Sequence, residues 1–241
     1  MKPAACLSAL ALLATASIAH AAAPANTGPQ SPTGLTGMWM RKQGGDGSPR
    51  VPLPLSAAGK AAQAKADAEL AAGNVIGTLK CDPVGMPGMM TNEFALQFLE
   101  IPGRIVIVSE MSPLSRQVYL GKPQGDGGNG PMFNGHSVGH WEGKTLVIDT
   151  VNFQQPENPI VFGGLRSASL HLTERYHLED AGQTLVGELT FEDPKLLTQT
   201  YKSTVRFERL PNDAELWEYA CLVGGEGWQD RFAGDTAAAK K

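Results

Sequence analysis

From about residue 92 onward, hydrophobic positions recur at every second residue, the period of half-buried strands. NEFALQFLEI (92–101), GRIVIVSEM (103–111), RQVYLG (116–121), KTLVIDTVNF (144–153), ASLHLTERYHL (168–178), TLVGELTFED (184–193), STVRFERL (203–210) and ELWEYACL (215–222) are punctuated by PG, SP, EDAGQ, DPK and PND. Short strands in this succession predict a mainly β fold, an antiparallel β-barrel built as a calycin- or lipocalin-like meander. One segment departs from that period. SAAGKAAQAKADAELAAGN (56–74) runs through helix formers from a capping Ser56 to Gly73 and predicts a single N-terminal helix.

The N-terminal stretch carries one Lys, an apolar run and the small residues Ala19 and Ala21, which reads as a secretory signal peptide cleaved after Ala21. The expected organisation is a signal peptide at 1–21, a flexible arm at 22–34, one barrel domain at 35–225 and a polar tail at 226–241. Trp39, in the patch LTGMWMR, is the expected anchor of the arm. After residue 23 no run reaches the roughly 18 apolar residues of a membrane helix. A periplasmic or secreted product without a membrane span is therefore expected.

The formal net charge is −4 and the chain contains no basic block, which argues against a nucleic-acid partner. Outside the signal, Cys81 and Cys221 are the two cysteines. An oxidising compartment favours a disulfide between them, closing a loop worth about 5 kcal/mol at most in the chain-entropy model. Two buried free thiols are the alternative.

Alternation in LHLTERYHL places Leu170, Leu172, Glu174, Tyr176 and Leu178 on one face, which is apolar but for Glu174 and the tyrosine hydroxyl. In KTLVIDTVNF the same rule groups Thr145, Val147, Asp149, Val151 and Phe153, again with a single acid. An unpaired acid on a buried face costs several kcal/mol, so Asp149 and Glu174 must be paired, neutralised or functional. The structural alternative is an ion pair with Arg166, Arg104 or Arg206 across the sheet. The functional one is that both acids and Tyr176 line a cavity inside the barrel.

NGHSVGHWEGKTLVID (134–149) places two histidines four apart, with glycines around them that disfavour a helix. The segment reads as a turn leading into a strand, with WEG as a hairpin signal and His136 at the barrel mouth. Convergence of His136 and His140 with His171 or His177 on a metal is disfavoured, because the latter two alternate outward and no zinc spacing accompanies them. GHSVG has the outline of a nucleophile elbow around Ser137, but precedes a strand in an all-β pattern, not a helix in an α/β sheet. GDGGNG (125–130) lacks the acids of a calcium loop and the lysine of a phosphate loop, and reads as a flap.

GHSVGHWEGKTLVIDTVNF, LHLTERYHL, FEDPK, EYACL and the upstream CDPVGMPGMM together resemble a family of exported bacterial proteins. Its running pattern is GHSVG-WEG-D-TLVVDT-NF, LHLTERY, EDPK and a late EYAC. The resemblance spans roughly residues 35–225 and brings with it no established reaction or fold. Lys144 stands where the pattern usually has Asp, and His140 where a larger basic or polar residue is common. The matching positions mark His136, Trp141, Asp149, Glu174, Tyr176 and Asp193 as site candidates, although EDPK can equally be a strand-ending turn.

Two small-molecule readings follow. In one, the barrel binds an apolar or aromatic ligand in its cavity, near Trp141, Phe153 and Asp193. In the other, a lyase, dehydratase or isomerase without a cofactor uses His136, Asp149, Glu174 and Tyr176 for proton transfer. An envelope scaffold or interaction protein is the third reading.

Overall fold

Short turns join β-strand neighbours that carry candidate residues: two residues link Glu142 to Thr145, and four link Glu179 to Thr184. The computed structural model describes residues 33–42, 52–73, 83–125, 127–128, 130–155, 160–161 and 164–217. The expected signal peptide, most of the expected arm, Cys81, Cys221, residues 218–222 of the last expected strand and the expected polar tail lie outside the described residues. All described residues belong to one compact unit.

The strands are β1 (Gly37–Arg41), β2 (Leu96–Ile101), β3 (Arg104–Ser109), β4 (Ser112–Leu120), β5 (His136–Glu142), β6 (Thr145–Val151), β7 (Ile160–Val161), β8 (Gly164–Leu165), β9 (His171–Glu179), β10 (Thr184–Glu192) and β11 (Tyr201–Arg209). Nine of them close a barrel in the order β1-β11-β10-β9-β6-β5-β4-β3-β2, while β7 and β8 form a separate ribbon. The chain is mainly β and barrel-forming, but the barrel is mixed, not antiparallel throughout. β4 and β5 run parallel, with Val118 opposite Ser137 and Leu120 opposite Gly139. A parallel neighbour needs a long crossover, and residues 121–135 supply it.

Two segments that the periodicity does not predict as strands are strands. GMWMR is β1, which closes the ring by pairing with both β11 and β2. HSVGHWE is β5, joined to β6 by a tight hairpin in which Glu142 faces Thr145 and Gly143 takes φ 61°, a backbone state glycine adopts without steric cost. NGHSVGHWEGKTLVID is thus the body of a hairpin. Conversely, residues 215–217 are not a strand.

Cross-strand partners share a face, so the inward set can be read around the barrel. It includes Ser137, Gly139 and Trp141 on β5, Leu146, Ile148 and Thr150 on β6, Leu172, Glu174 and Tyr176 on β9, and Leu185, Gly187 and Leu189 on β10. Trp39, Leu96, Phe98, Ile105, Ile107, Val118, Val205 and Phe207 join them in one continuous apolar core. The segment 83–91, with the short helix α2 (Gly88–Thr91), contributes the fully buried Met86, Met89 and Met90 to the same core.

A longer helix, α1 (Ala57–Ala71), starts at Ser56, whose Oγ accepts from Gly59 N at 3.0 Å and donates to Lys195 O at 2.7 Å. Such a cap satisfies one of the helix's orphan donors and here also ties α1 to the turn after β10. No helix among the described residues is long and apolar enough to cross a membrane.

Candidate functional site

A polar network lies inside this apolar barrel core. Arg116 on β4 and Glu174 on β9 have side chains with no exposed surface. Arg116 Nη1 donates to Glu174 Oε1 at 3.0 Å and Nη2 to Oε2, a bidentate pair. Its Nε donates to Ser137 Oγ at 3.1 Å and its Nη2 to Thr150 Oγ1 at 3.0 Å, and those two hydroxyls bond each other at 3.0 Å. Tyr176 OH completes the set by donating to Glu174 Oε1 at 2.6 Å. The Tyr176 ring fits because β10 has Gly187 beside it: a Cβ there would stand 2.4 Å from Tyr176 Cε1.

Moving two charges out of water costs several kcal/mol per ion, which good geometry and further hydrogen bonds can offset. Desolvation by itself would lower the Arg116 pKa, but the adjacent Glu174 outweighs it and leaves it raised. Burial, and after it the Glu174 charge, pushes the Tyr176 hydroxyl well above its ordinary value. Tyr176 therefore serves as a donor. Both Glu174 oxygens are occupied by these partners, so the network has the chemistry of an anchored polar cluster, not of a free acid or base.

His136 and Asp149 are elsewhere. Asp149 sits opposite Val138 and Thr173 on the outer face, with its side chain 34% exposed. Its Oδ2 lies 2.7 Å from His171 Nε2, and its Oδ1 accepts from Gln124 Nε2 at 2.8 Å. His171 Nδ1 in turn lies 3.1 Å from Glu192 Oε2. His136 also faces outward, buried beside Gly127 and stacked on Tyr119 at 5.6 Å between centroids. A Cβ on Gly127 would stand 2.4 Å from His136 Cδ2, and His136 Nδ1 is buried without a partner.

The four expected proton-transfer residues thus divide between two sides of the sheet, with Glu174 and Tyr176 inside and His136 and Asp149 outside. The error lay in β6. Leu146, Val147 and Ile148 are all buried, so alternation alone gave two equally apolar faces, and the structure turns Leu146, Ile148 and Thr150 inward instead of Val147 and Asp149.

His136 and His140 share the outer face four residues apart, about 13 Å along a strand, too far to hold one ion. His140 instead lies 3.2 Å from Glu142 Oε1. Among the described residues no group of three or more His, Cys, Asp or Glu could hold a metal.

Trp141 points inward and is half-buried against the core, and Phe153 is buried within it. Asp193 is buried as the organiser of a turn. Its Oδ1 accepts from Ser167 Oγ at 2.9 Å and from the amides of Lys195 and Leu196 at 3.1 Å, while Oδ2 accepts from Ser167 N at 3.0 Å. EDPK is therefore a capped turn, the structural option the sequence left open.

The acid on the β9 face does have an arginine partner, but Arg116 fills that role. Arg206 bonds Glu179 at 2.7 Å, Arg104 lies over the Tyr119 ring at 5.6 Å, and Arg166 donates to main-chain carbonyls. Arg116 was legible: it is in phase with Val118, which is fully buried. Compared with known proteins, the chain matches no protein-family model and no curated protein.

Proposed function

We propose that the protein is an exported β-barrel that binds a small molecule, with the lumen network as the polar anchor for an otherwise apolar or aromatic ligand. The supporting observation is the Arg116–Glu174–Tyr176 cluster in an apolar lumen. Replacing a buried ion pair by apolar residues is often neutral or stabilising, so a lumen optimised for packing alone has little need of one. Export rests on the signal-like N-terminal stretch, and the proposed ligand class on the apolar lining.

The acid–base reading has less support, because His136 and Asp149 are across the sheet from Glu174 and both Glu174 oxygens are engaged. A scaffold reading is favoured by one observation, the mutual satisfaction of the network, which also suits a purely architectural role.

Native mass spectrometry of protein purified from its host, followed by thermal melting with a panel of apolar and aromatic compounds, separates the two readings. The expected result is a co-purifying organic mass, or a melting rise with at least one compound class that the Arg116→Met/Glu174→Met double variant loses while remaining folded. A bare protein mass with no melting shift across the panel would leave the scaffold reading standing.

A further inference from the structure

Arg166 is a buried cation with no acidic partner among the described residues. It follows β8, at the end of the barrel filled by segment 83–91 and the 131–135 loop, and is 6% exposed. Its Nη1 donates to Met86 O at 2.9 Å and Phe133 O at 2.6 Å, and Cζ lies over the Phe133 ring at 5.8 Å. Its Nε is buried without an acceptor. Among the described residues Nη2 has none either. Gly85 comes close to this contact, since a Cβ there would stand 2.5 Å from Nη1 and 2.3 Å from Phe133 O.

The other arginines show what a completed environment looks like in this protein. Arg116 is matched by Glu174, Arg206 by Glu179 and Arg175 by Glu142. Arg209 has no acid among the described residues, but Nε bonds Gly182 O, Nη1 bonds Thr36 O, Nη2 bonds Gly34 O, and the cation lies over Trp39 at 4.1 Å. Asp193 is bonded to Ser167, the next residue after Arg166, yet its oxygens are taken by Ser167, Lys195 and Leu196. Of the two buried arginines among the described residues, Arg116 and Arg166, Arg166 is the one that keeps a whole edge, Nε and Nη2, uncommitted.

That edge presents two parallel N–H donors, the fork that matches a carboxylate. We infer that Arg166 is an anion-binding site at the end of the barrel, taking the carboxylate of a small organic acid on its Nε/Nη2 edge beside the Phe133 ring. Burial without an acid pushes its pKa down to about 10, the direction a bound carboxylate would reverse. The site is separate from the lumen network and does not rest on the ligand reading above.

The test is a titration of nitrogen-15-labelled wild-type protein with sodium acetate and, separately, sodium phosphate, at constant ionic strength made up with sodium chloride. The Nε–H signals of Arg166 and Arg209 are assigned through bonds, so no variant is needed to read them. Acetate should shift the Arg166 signal saturably and leave that of Arg209 in place. In folded Arg166→Lys, acetate should bind roughly tenfold more weakly, as judged by neighbouring amides, because a point charge cannot offer the fork. Saturation by phosphate but not acetate would overturn the carboxylate assignment. An unshifted Arg166 signal, or the same drift with chloride alone, would overturn the site.

Discussion

Arg116 and Glu174 meet inside the barrel from strands that are not neighbours, β4 and β9, with two parallel hydrogen bonds between them and no surface exposed on either side chain. Removing one partner strands the other in the core. Glu174→Gln and Arg116→Met are each expected to lower unfolding free energy by about 3–5 kcal/mol. Combining Arg116→Met with Glu174→Met should recover most of that loss. Urea denaturation of the wild type, Arg116→Met, Glu174→Met and the double variant measures the coupling, and additive losses would contradict the pair.

Tyr176→Phe removes one hydrogen bond to a charged acceptor and keeps the ring, which is expected to cost roughly 2 kcal/mol at neutral pH. The pH dependence has a definite sign. Burial raises the folded pKa above the ordinary value of 10.0, so the unfolded chain releases its proton first. Stability is whole below that value and is lost as pH rises from there toward the folded pKa. The wild-type advantage over Tyr176→Phe should therefore shrink above about pH 10, measured as the difference between the two denaturation curves.

Gly187→Ala places a methyl group against the Tyr176 ring, where the available gap is 2.4 Å. Overpacking of this kind costs about 1–3 kcal/mol. Tyr176→Phe should not relieve it, because the clash is with a ring carbon and not the hydroxyl. Relief by the phenylalanine would mean that the ring can move aside.

Asp149→Asn should behave unlike Glu174→Gln, although the sequence grouped the two acids. Asp149 is on the outer face, partly exposed beside His171, and exposed pairs contribute about 0–1 kcal/mol. A loss approaching that of Glu174→Gln would contradict the assigned face.

Asp193→Ala should cost at least about 2 kcal/mol, the upper range for a capping acid, because one carboxylate serves Ser167, Lys195 and Leu196. The loss should also loosen the start of α1, since Ser56 Oγ bonds Lys195 O. Faster amide exchange at Gly59, against a control amide in β3, would report that coupling.

The strands of this barrel were legible where apolar and polar residues alternate cleanly. LHLTERYHL is such a stretch, and its period alone places Glu174 and Tyr176 inward. β6 was misread because three consecutive buried apolar residues, Leu146 to Ile148, erase the difference between its faces. There the inward side is decided by Thr150, through Arg116 and Ser137, which local alternation cannot detect. β5 was hidden by its glycine, a residue depleted in strands, and its parallel partner by a crossover whose composition suggests only a loop. Arg166 looked like a partner for an acid because sequence distance does not reveal which carbonyls will surround a guanidinium.

β1 fills the gap between β2 and β11, pairing Trp39 with Leu96 on one side and Arg209 on the other. The ring is therefore sealed by a contact between residues some 170 positions apart, and loop-closure entropy must be met before that contact forms. Until β11 is available, every partly made barrel has two open edges, the kind of surface that recruits strands from other chains. A chain shortened anywhere before residue 209 is consequently expected to aggregate instead of forming a smaller barrel.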